Sequence, residues 1–415
     1  MIMDNFKKQV NVAFIGVSGR GMGLIPCLLD MDDVKITVVC DLYEDRMNHA
    51  AKYIFETSGY QPDCCADYKE VVKRSDVDCV VIATSWSSHT EIALASMKAG
   101  KPVGMEVGGA YALEECWDLV RTSEETGVNC MMLENCCYGR EEMAILNMIK
   151  QGIFGEMIHC QGGYEHDLRD EISLGNENRH YRFRNYQNRN GEIYPTHEIG
   201  PIAKYLNINR GNRFLTLTSM ASKARGLHNW IVENKGADHE HANINFEQGD
   251  IVTTMIKCAH GETVLIIHDT SLPRPYSRGG RVQGTKAIWM EDNKSIHIDG
   301  VSKPHTWESF DNYLEKYEHP LWKEYKISGI KGGHDGMDYL VLKSFIKSVK
   351  NNMPMPIDIY DTATWMAITC LSEQSVAMGS MPVAFPDFTC GKWIRRENEQ
   401  PSKYGLSNVF NHCFN

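Results

Sequence analysis

A strand, a glycine-rich turn and a helix follow one another near the start of this chain, and that order constrains its fold more than any other feature. VNVAFIGV (10–17) is an apolar, β-prone run, and MGLIPCLLDM (22–31) carries apolar residues at helical spacing. The rhythm then repeats. KITVVCD (35–41), VDCVVIAT (77–84), PVGMEV (102–107) and NCMMLEN (129–135) read as strands. HTEIALASMKAG (89–100) and LEECWDLVRTSEETG (113–127) read as helices that stop at glycine. Strands apolar along their whole length and separated by helices imply a parallel sheet covered on both faces.

The turn itself carries chemistry. Gly16-Val17-Ser18-Gly19-Arg20-Gly21 keeps the first and third glycines of G-x-G-x-x-G and places Ser18 at the second. Serine is the smallest polar replacement, and Gly19 keeps the loop permissive. A helix beginning here offers unpaired N–H groups and a positive dipole end to a pyrophosphate. Asp41 ends the second strand, 25 residues after Gly16. A carboxylate there accepts hydrogen bonds from a ribose 2′-hydroxyl and repels a 2′-phosphate, which points to NAD rather than NADP. Taken alone, Asp41 also fits a helix cap, and Arg20 fits either a phosphate contact or a solvated charge.

After about residue 150 the pattern changes. Residues 155–168, 213–222, 250–258, 263–271 and 286–299 read as strands of a larger, mostly antiparallel sheet. A helix is expected from Thr196, with further helices at about 336–350 and 361–379. A polar tail from Cys390 is expected to wrap the surface. With 415 residues, two domains follow: a dinucleotide-binding domain over 1–137 and a substrate domain of α/β type over 138–415.

Composition narrows the partners. The chain has 43 basic and 54 acidic residues, a formal net charge of −11, so neither nucleic acid nor an anionic membrane is an expected partner. No run approaches the length of a membrane span, and the short apolar stretch near the start does not read as a signal peptide. The 14 cysteines form no C-x-x-C and no disulfide framework. The expectation is a cytoplasmic protein with reduced thiols. Asp238-His239-Glu240-His241 is the strongest metal-like run, but no third ligand is spaced to join it; no metal is expected.

Ser85-Trp86-Ser87-Ser88-His89 after the third long strand, and Glu106-Val107 at the end of the next, resemble the Gfo/Idh/MocA superfamily of NAD(P)-dependent sugar enzymes. Its ordinary dehydrogenases carry Glu-Lys-Pro at the second place. Here Val107 and Gly108 stand there, and the lysine that helps deprotonate the oxidised hydroxyl is missing. MMLENCCYGREE (131–142), GGYEHDLR (162–169), RHYRFRN (179–185), IYPTHEIGPIAKYLNINRG (193–211), LPRPYSR (272–278) and GGHDGMDYL (332–340) resemble the NAD-dependent α-N-acetylgalactosaminidase family of glycoside hydrolases.

That resemblance implies a Rossmann domain followed by an α/β domain with a large open sheet, and a homo-oligomer. It implies NAD held by Gly19, Arg20, Asp41, Trp86, Ser87, Ser88, His89, Glu106, Val107, Asn135 and Tyr194, to which the glycine loop itself adds Gly16, Ser18 and Gly21. It implies a small-molecule glycoside contacted by Tyr164, Arg182, Tyr194, His197 and Tyr276, and leaves His334 without a role. The implied reaction takes a hydride from sugar C3, removes the acidified C2 proton, expels the C1 aglycone, adds water and returns the hydride. Tyr194 and His197 are the expected proton carriers, provided neighbours lower the tyrosine pKa. On spacing alone the same pair fits a buried tyrosine and a helix-capping histidine. The rival readings are a sugar dehydrogenase that releases NADH and a catalytically silent nucleotide-binding regulator.

Overall fold

The computed structural model describes residues 9–175, 179, 181–396 and 402–406. Six parallel strands form the first sheet: β1 (Val10–Ile15), β2 (Val34–Cys40), β3 (Asp63–Cys65), β4 (Cys79–Ile82), β5 (Val103–Met105) and β6 (Cys130–Met132), in the order β3-β2-β1-β4-β5-β6. The order reverses between β1 and β4, and a crevice opens at such a switch point beyond the strand ends. The strand interiors are buried almost without exception, as their continuous apolar runs require.

Two glycines make the first turn possible. Gly16 has φ +92°, and a Cβ there would stand 2.5 Å from the Ala83 carbonyl carbon. A Cβ on Gly21 would stand 2.0 Å from the Gly16 oxygen, so helix Gly19–Leu29 packs against the strand only because both residues lack side chains.

The second sheet has nine strands: β7 (Met157–Glu165), β8 (Phe214–Ala221), β9 (Ile251–Cys258), β10 (Thr263–Asp269), β11 (Arg281–Gly284), β12 (Ala287–Met290), β13 (Ser295–Ile298), β14 (Glu308–Ser309) and β15 (Val383–Ala384). Their order is β14-β13-β12-β11-β7-β10-β9-β8-β15. Every pairing is antiparallel except β7 with β10. The run over 286–299 is a hairpin rather than one strand, since Glu291-Asp292-Asn293-Lys294 turns the chain with Lys294 at φ +45°. Helices Glu44–Ser58 and Gly226–Lys235 are additions to the sequence reading; the first is polar enough to bury only Met47, Ala50, Ala51 and Ile54. Residues 176–178 and 180 of the polar stretch, and much of the tail, lie outside the described residues. Within the described tail, the Tyr404 carbonyl accepts a bond from the Tyr138 hydroxyl at 2.8 Å.

The two sheets are bound together by helices late in the chain. Helix Met337–Asn351 returns to the first sheet, where Lys343, Lys347 and Lys350 all reach Asp33, at 3.1, 3.1 and 2.8 Å. Helix Ile359–Ala377 begins in a capping box between Asp358 and Asp361. The Asp361 carboxylate, 1% exposed, accepts from Lys204 at 2.7 Å and from Arg210 at 2.8 and 3.0 Å. Burial opposes its charge, but Arg210 and Lys204 hold its pKa far below the usual carboxylate range.

Because that pKa is depressed, Asp361 stabilises the fold above its ordinary value of about 3.9 and loses the effect as pH falls below it. Asp361→Asn leaves two buried cations underpaired and is expected to cost about 3–5 kcal/mol at neutral pH. Urea unfolding measures it; the difference should shrink in acid, and an unchanged midpoint at pH 7 contradicts the assignment.

Candidate active site

A cavity of about 1140 Å³ runs along the crevice at the end of β1 and β4. Of the residues expected around a dinucleotide, Gly16, Ser18, Gly19, Arg20, Asp41, Trp86, Ser88, His89, Glu106, Val107 and Tyr194 line it. Gly21 lies behind the loop as a packing residue. Ser87 faces solvent, its hydroxyl 3.2 Å from that of Ser85. Asn135 is buried outside the lining and donates to Asp338 at 2.8 Å.

The cradle fits a pyrophosphate. Helix Gly19–Leu29 begins at the loop, so its first N–H groups have no intrahelical acceptor, and a Cβ on Gly19 would meet nothing within 4 Å. Asp41 does more than face the cavity. Its carboxylate accepts from the Val17 N–H at 3.0 Å and the Tyr43 N–H at 3.1 Å, pinning the loop to the end of β2.

Arg20 turns its fork away from the loop. Nε donates to Glu106 at 3.0 Å, and the two terminal nitrogens donate to Asp338 at 2.8 and 2.9 Å. Burial works against its charge, yet Glu106 and Asp338 together keep its pKa above the ordinary arginine value. His334 completes this group: its Nδ1 lies 2.8 Å from Asp338, which raises the histidine pKa. The Gly-Gly-His block thus clasps the second half of the chain to the cofactor loop. Gly108 stands where it does because the Trp86 indole presses on it; a Cβ there would meet Cδ1 at 2.6 Å. His89 is buried and donates from Nε2 to the Thr84 carbonyl at 3.0 Å, with burial lowering its pKa to about 4.

An aromatic cluster lines one side of the cavity, which Trp86, Arg182 and Tyr194 all face. Trp86 stacks on Tyr194 with ring centres 5.3 Å apart, and Tyr164 lies 4.4 Å from Tyr194. The Arg182 guanidinium sits over Trp86, Tyr194 and Tyr164 at 5.2–5.8 Å. Tyr276 is half-exposed beyond them, its ring 5.1 Å from His166, and the His166 Nδ1 lies 3.2 Å from the Tyr164 hydroxyl.

Tyr194 and His197 straddle the start of helix Thr196–Tyr205, and their side chains meet: hydroxyl to Nε2 is 3.2 Å. His197 Nδ1 lies 2.8 Å from Glu134, whose carboxylate has no exposed surface and also accepts the Cys136 N–H at 3.0 Å. Burial raises the Glu134 pKa, but His197 and these donors bring it below the ordinary value, so it is ionised. An ionised carboxylate only accepts. The bonding pattern therefore assigns the proton to Nδ1 and leaves Nε2 to accept from the Tyr194 hydroxyl.

The expectation of a lowered tyrosine pKa is not met. Burial pushes the Tyr194 phenol well up, Tyr164 adds to this, and Arg182 offsets only part. In this state the Tyr194 phenol is a donor, and His197 Nε2 is the acceptor it meets. Sequence reasoning missed Glu134, the fourth residue of MMLEN and the one just before Asn135. It also missed Glu192, whose carboxyl accepts the Tyr194 N–H at 3.1 Å while burial raises its pKa to about 8. Neither sits in a spacing that marks it; only the fold brings them to the relay. His239 and His241 lie in turns, where His241 bonds the Ser173 carbonyl at 3.1 Å and packs on Phe183.

Residues 138–395 match the family described as glycosyl hydrolase 109, C-terminal domain, and residues 10–134 match the oxidoreductase family with an NAD-binding Rossmann fold. An α-N-acetylgalactosaminidase from Tannerella forsythia is 46% identical, over 94% of this chain and 88% of that protein. A glycosyl hydrolase family 109 protein from Stenotrophomonas maltophilia is 45% identical, over 94% and 91%. Among solved structures, an NAD-binding oxidoreductase from Klebsiella pneumoniae aligns with a TM-score of 0.69 at 14% identity, over 92% of this chain and all of that one. Myo-inositol 2-dehydrogenase from Lactobacillus plantarum aligns with 0.66 at 14%, over 91% and 100%. These two share the fold. The chain belongs to the glycosyl hydrolase 109 family and is a glycoside hydrolase with an N-terminal Rossmann domain of the Gfo/Idh/MocA kind.

Tyr194→Phe and Glu134→Gln both act through His197. Each is expected to lower kcat for glycoside cleavage by about 10²–10⁴-fold, and the double variant should fall no further than the worse single one. Steady-state aglycone release measures this; additive losses, or losses under about threefold, contradict a shared relay.

Proposed function

We propose that this chain hydrolyses terminal N-acetylgalactosaminides, or glycosides of a closely related sugar, by an NAD-dependent route through oxidation at C3. The sugar class rests on the Tannerella forsythia relative. The route rests on one observation: a Tyr194–His197–Glu134 chain that ends, at its tyrosine, in the cavity lined by the glycine loop.

The loop Gly16–Gly21 and Asp41 would hold the dinucleotide, with Trp86, His89, Glu106 and Tyr194 around its reactive end. When bound, the cofactor supplies a reversible acceptor for the C3 hydride. The residues do the rest. As the C3 hydroxyl is oxidised, its proton passes to the Tyr194 oxygen while the phenol gives its own proton to His197 Nε2. Glu134 stabilises the resulting imidazolium and holds the ring in place, as a buried carboxylate does for a catalytic histidine. The imidazolium gives its proton to water, which restores the pair; the ketone acidifies C2, and the neutral pair then takes up the C2 proton as the C1 aglycone leaves and is protonated by water. Addition of water at C1, return of the proton to C2, and return of hydride to C3 and of a proton to its oxygen close the cycle. Arg182, fixed over three aromatic rings, orients sugar oxygens, and Tyr164 and Tyr276 offer ring faces and hydroxyls.

Two nearby carboxylates do not form the usual glycosidase pair. Glu106 is tied to Arg20, and Glu134 is buried behind His197. The dehydrogenase reading would use a lysine where Val107 stands. The free thiols of the described cysteines suit a reducing, cytoplasmic setting; among the described residues no helix is long and apolar enough to cross a membrane.

A second copy is the proposed partner for the outer face of the nine-stranded sheet. There Met255 lies opposite Leu265 and Met220 opposite Thr253, with Ile267 beyond, and Met220 and Met255 are 64% and 44% exposed. Met255→Lys with Leu265→Glu should shift the chain toward monomer by light scattering; an unchanged mass contradicts this.

Hydrolysis in D₂O should place deuterium at C2 of the released sugar and proceed without added NAD. Product free of deuterium, or stoichiometric NADH release, contradicts the route.

A further inference from the structure

We propose that Glu134, Cys136 and His197 form a binding site for a thiophilic divalent cation, with zinc as the representative ion, seated directly on the relay. One ligand atom from each of the three lies within 4.8 Å of the others, and they form the one such group of three among the described residues.

Two segments build the set. Glu134 and Cys136 flank Asn135 at the start of the tight turn Asn135–Tyr138. The bond from the Cys136 N–H to the Glu134 carboxylate holds that carboxylate against the residue carrying the thiol. His197 arrives from helix Thr196–Tyr205 and presents Nδ1 to the same carboxylate. The carboxylate has no exposed surface, its Oε2 makes no hydrogen bond of ordinary geometry, and Thr196 helps His197 hold it ionised.

The donors select the ion. Thiolate, imidazole and one carboxylate suit zinc, cobalt or cadmium, whereas calcium and magnesium take oxygen ligands. Zinc bonds of about 2.0–2.3 Å place tetrahedral ligands roughly 3.3–3.7 Å apart. Glu134 and His197, 2.8 Å apart, must therefore part by about half an ångström while the thiol closes on them, within the reach of side-chain rotation. Charge also balances: carboxylate and thiolate cancel a dication, so no net charge is buried. The thiol, which donates to the Asn135 amide oxygen at 3.6 Å, gives up its proton to solvent as the metal–sulfur bond forms.

Coordination at Nδ1 leaves the remaining imidazole proton on Nε2, the nitrogen that faces Tyr194. Nε2 then donates instead of accepting, and the relay stops. This inhibitory consequence rests on the proposed function; the binding does not.

The test titrates the full chain with Co²⁺, following thiolate-to-cobalt charge transfer, and with Zn²⁺ by calorimetry. One cobalt per chain is expected, displaced by zinc. Cys136→Ser should abolish the charge-transfer band and weaken zinc by about 100-fold or more, whereas Cys137→Ser should keep both. Cys136→Ala, checked for an unchanged melting temperature, guards against a misfolded serine variant. Zinc should stop hydrolysis by the parent, while Cys136→Ser hydrolyses at the parental rate and resists zinc. No band, or a band that survives loss of Cys136, overturns the site. Cys136-dependent binding with hydrolysis undiminished confirms the site and instead overturns the catalytic role of His197.

Discussion

The contact between His197 Nδ1 and the buried Glu134 carboxylate, 2.8 Å long, is the interaction on which the reactive cleft depends. Glu134 lies two residues beyond β6 of the first sheet, and His197 in the helix that packs on β7 of the second. The bond therefore crosses between the two halves of the chain. It fixes the imidazole tautomer, turns Nε2 toward Tyr194 and places the phenol against Trp86 at the cavity wall. A carboxylate with no exposed surface tolerates its burial only with such partners.

Other ties hold the halves in register around that bond. Arg20 at the cofactor loop engages Asp338, and Asp33 gathers three lysines from the same late helix. The Met132 N–H donates to the Thr362 hydroxyl at 3.2 Å, locking helix Ile359–Ala377 to the end of β6. The proposed route needs a hydride acceptor and a proton relay to meet at one sugar carbon, and geometry set by several independent clamps suits that demand.

Much of this was legible in the sequence because its causes are local. Gly16 and Gly21 announce a turn that only glycine can make, and unbroken apolar strands announce a doubly covered sheet. Tyr194 and His197 sit three apart across a helix start, so their meeting follows from short-range geometry. What stayed hidden depends on chain segments far apart. Glu134 lies 63 residues from His197, and Asp338 lies 318 from Arg20. No spacing rule connects them. The Tyr194 pKa ran opposite to expectation for the same reason: desolvation by the surrounding aromatic wall is a property of packing, invisible in a motif. The polar run at Asp238–His241 shows the converse, a local pattern of ligands that the fold spends on a turn and on packing.

The central claim is that two electrons leave the sugar and return within each turnover. Rapid mixing of enzyme with a chromogenic glycoside, followed at the absorption band of reduced nicotinamide, tests it most directly. A band that rises before aglycone appears and decays as product forms is the expected result. A flat trace during complete aglycone release would contradict it.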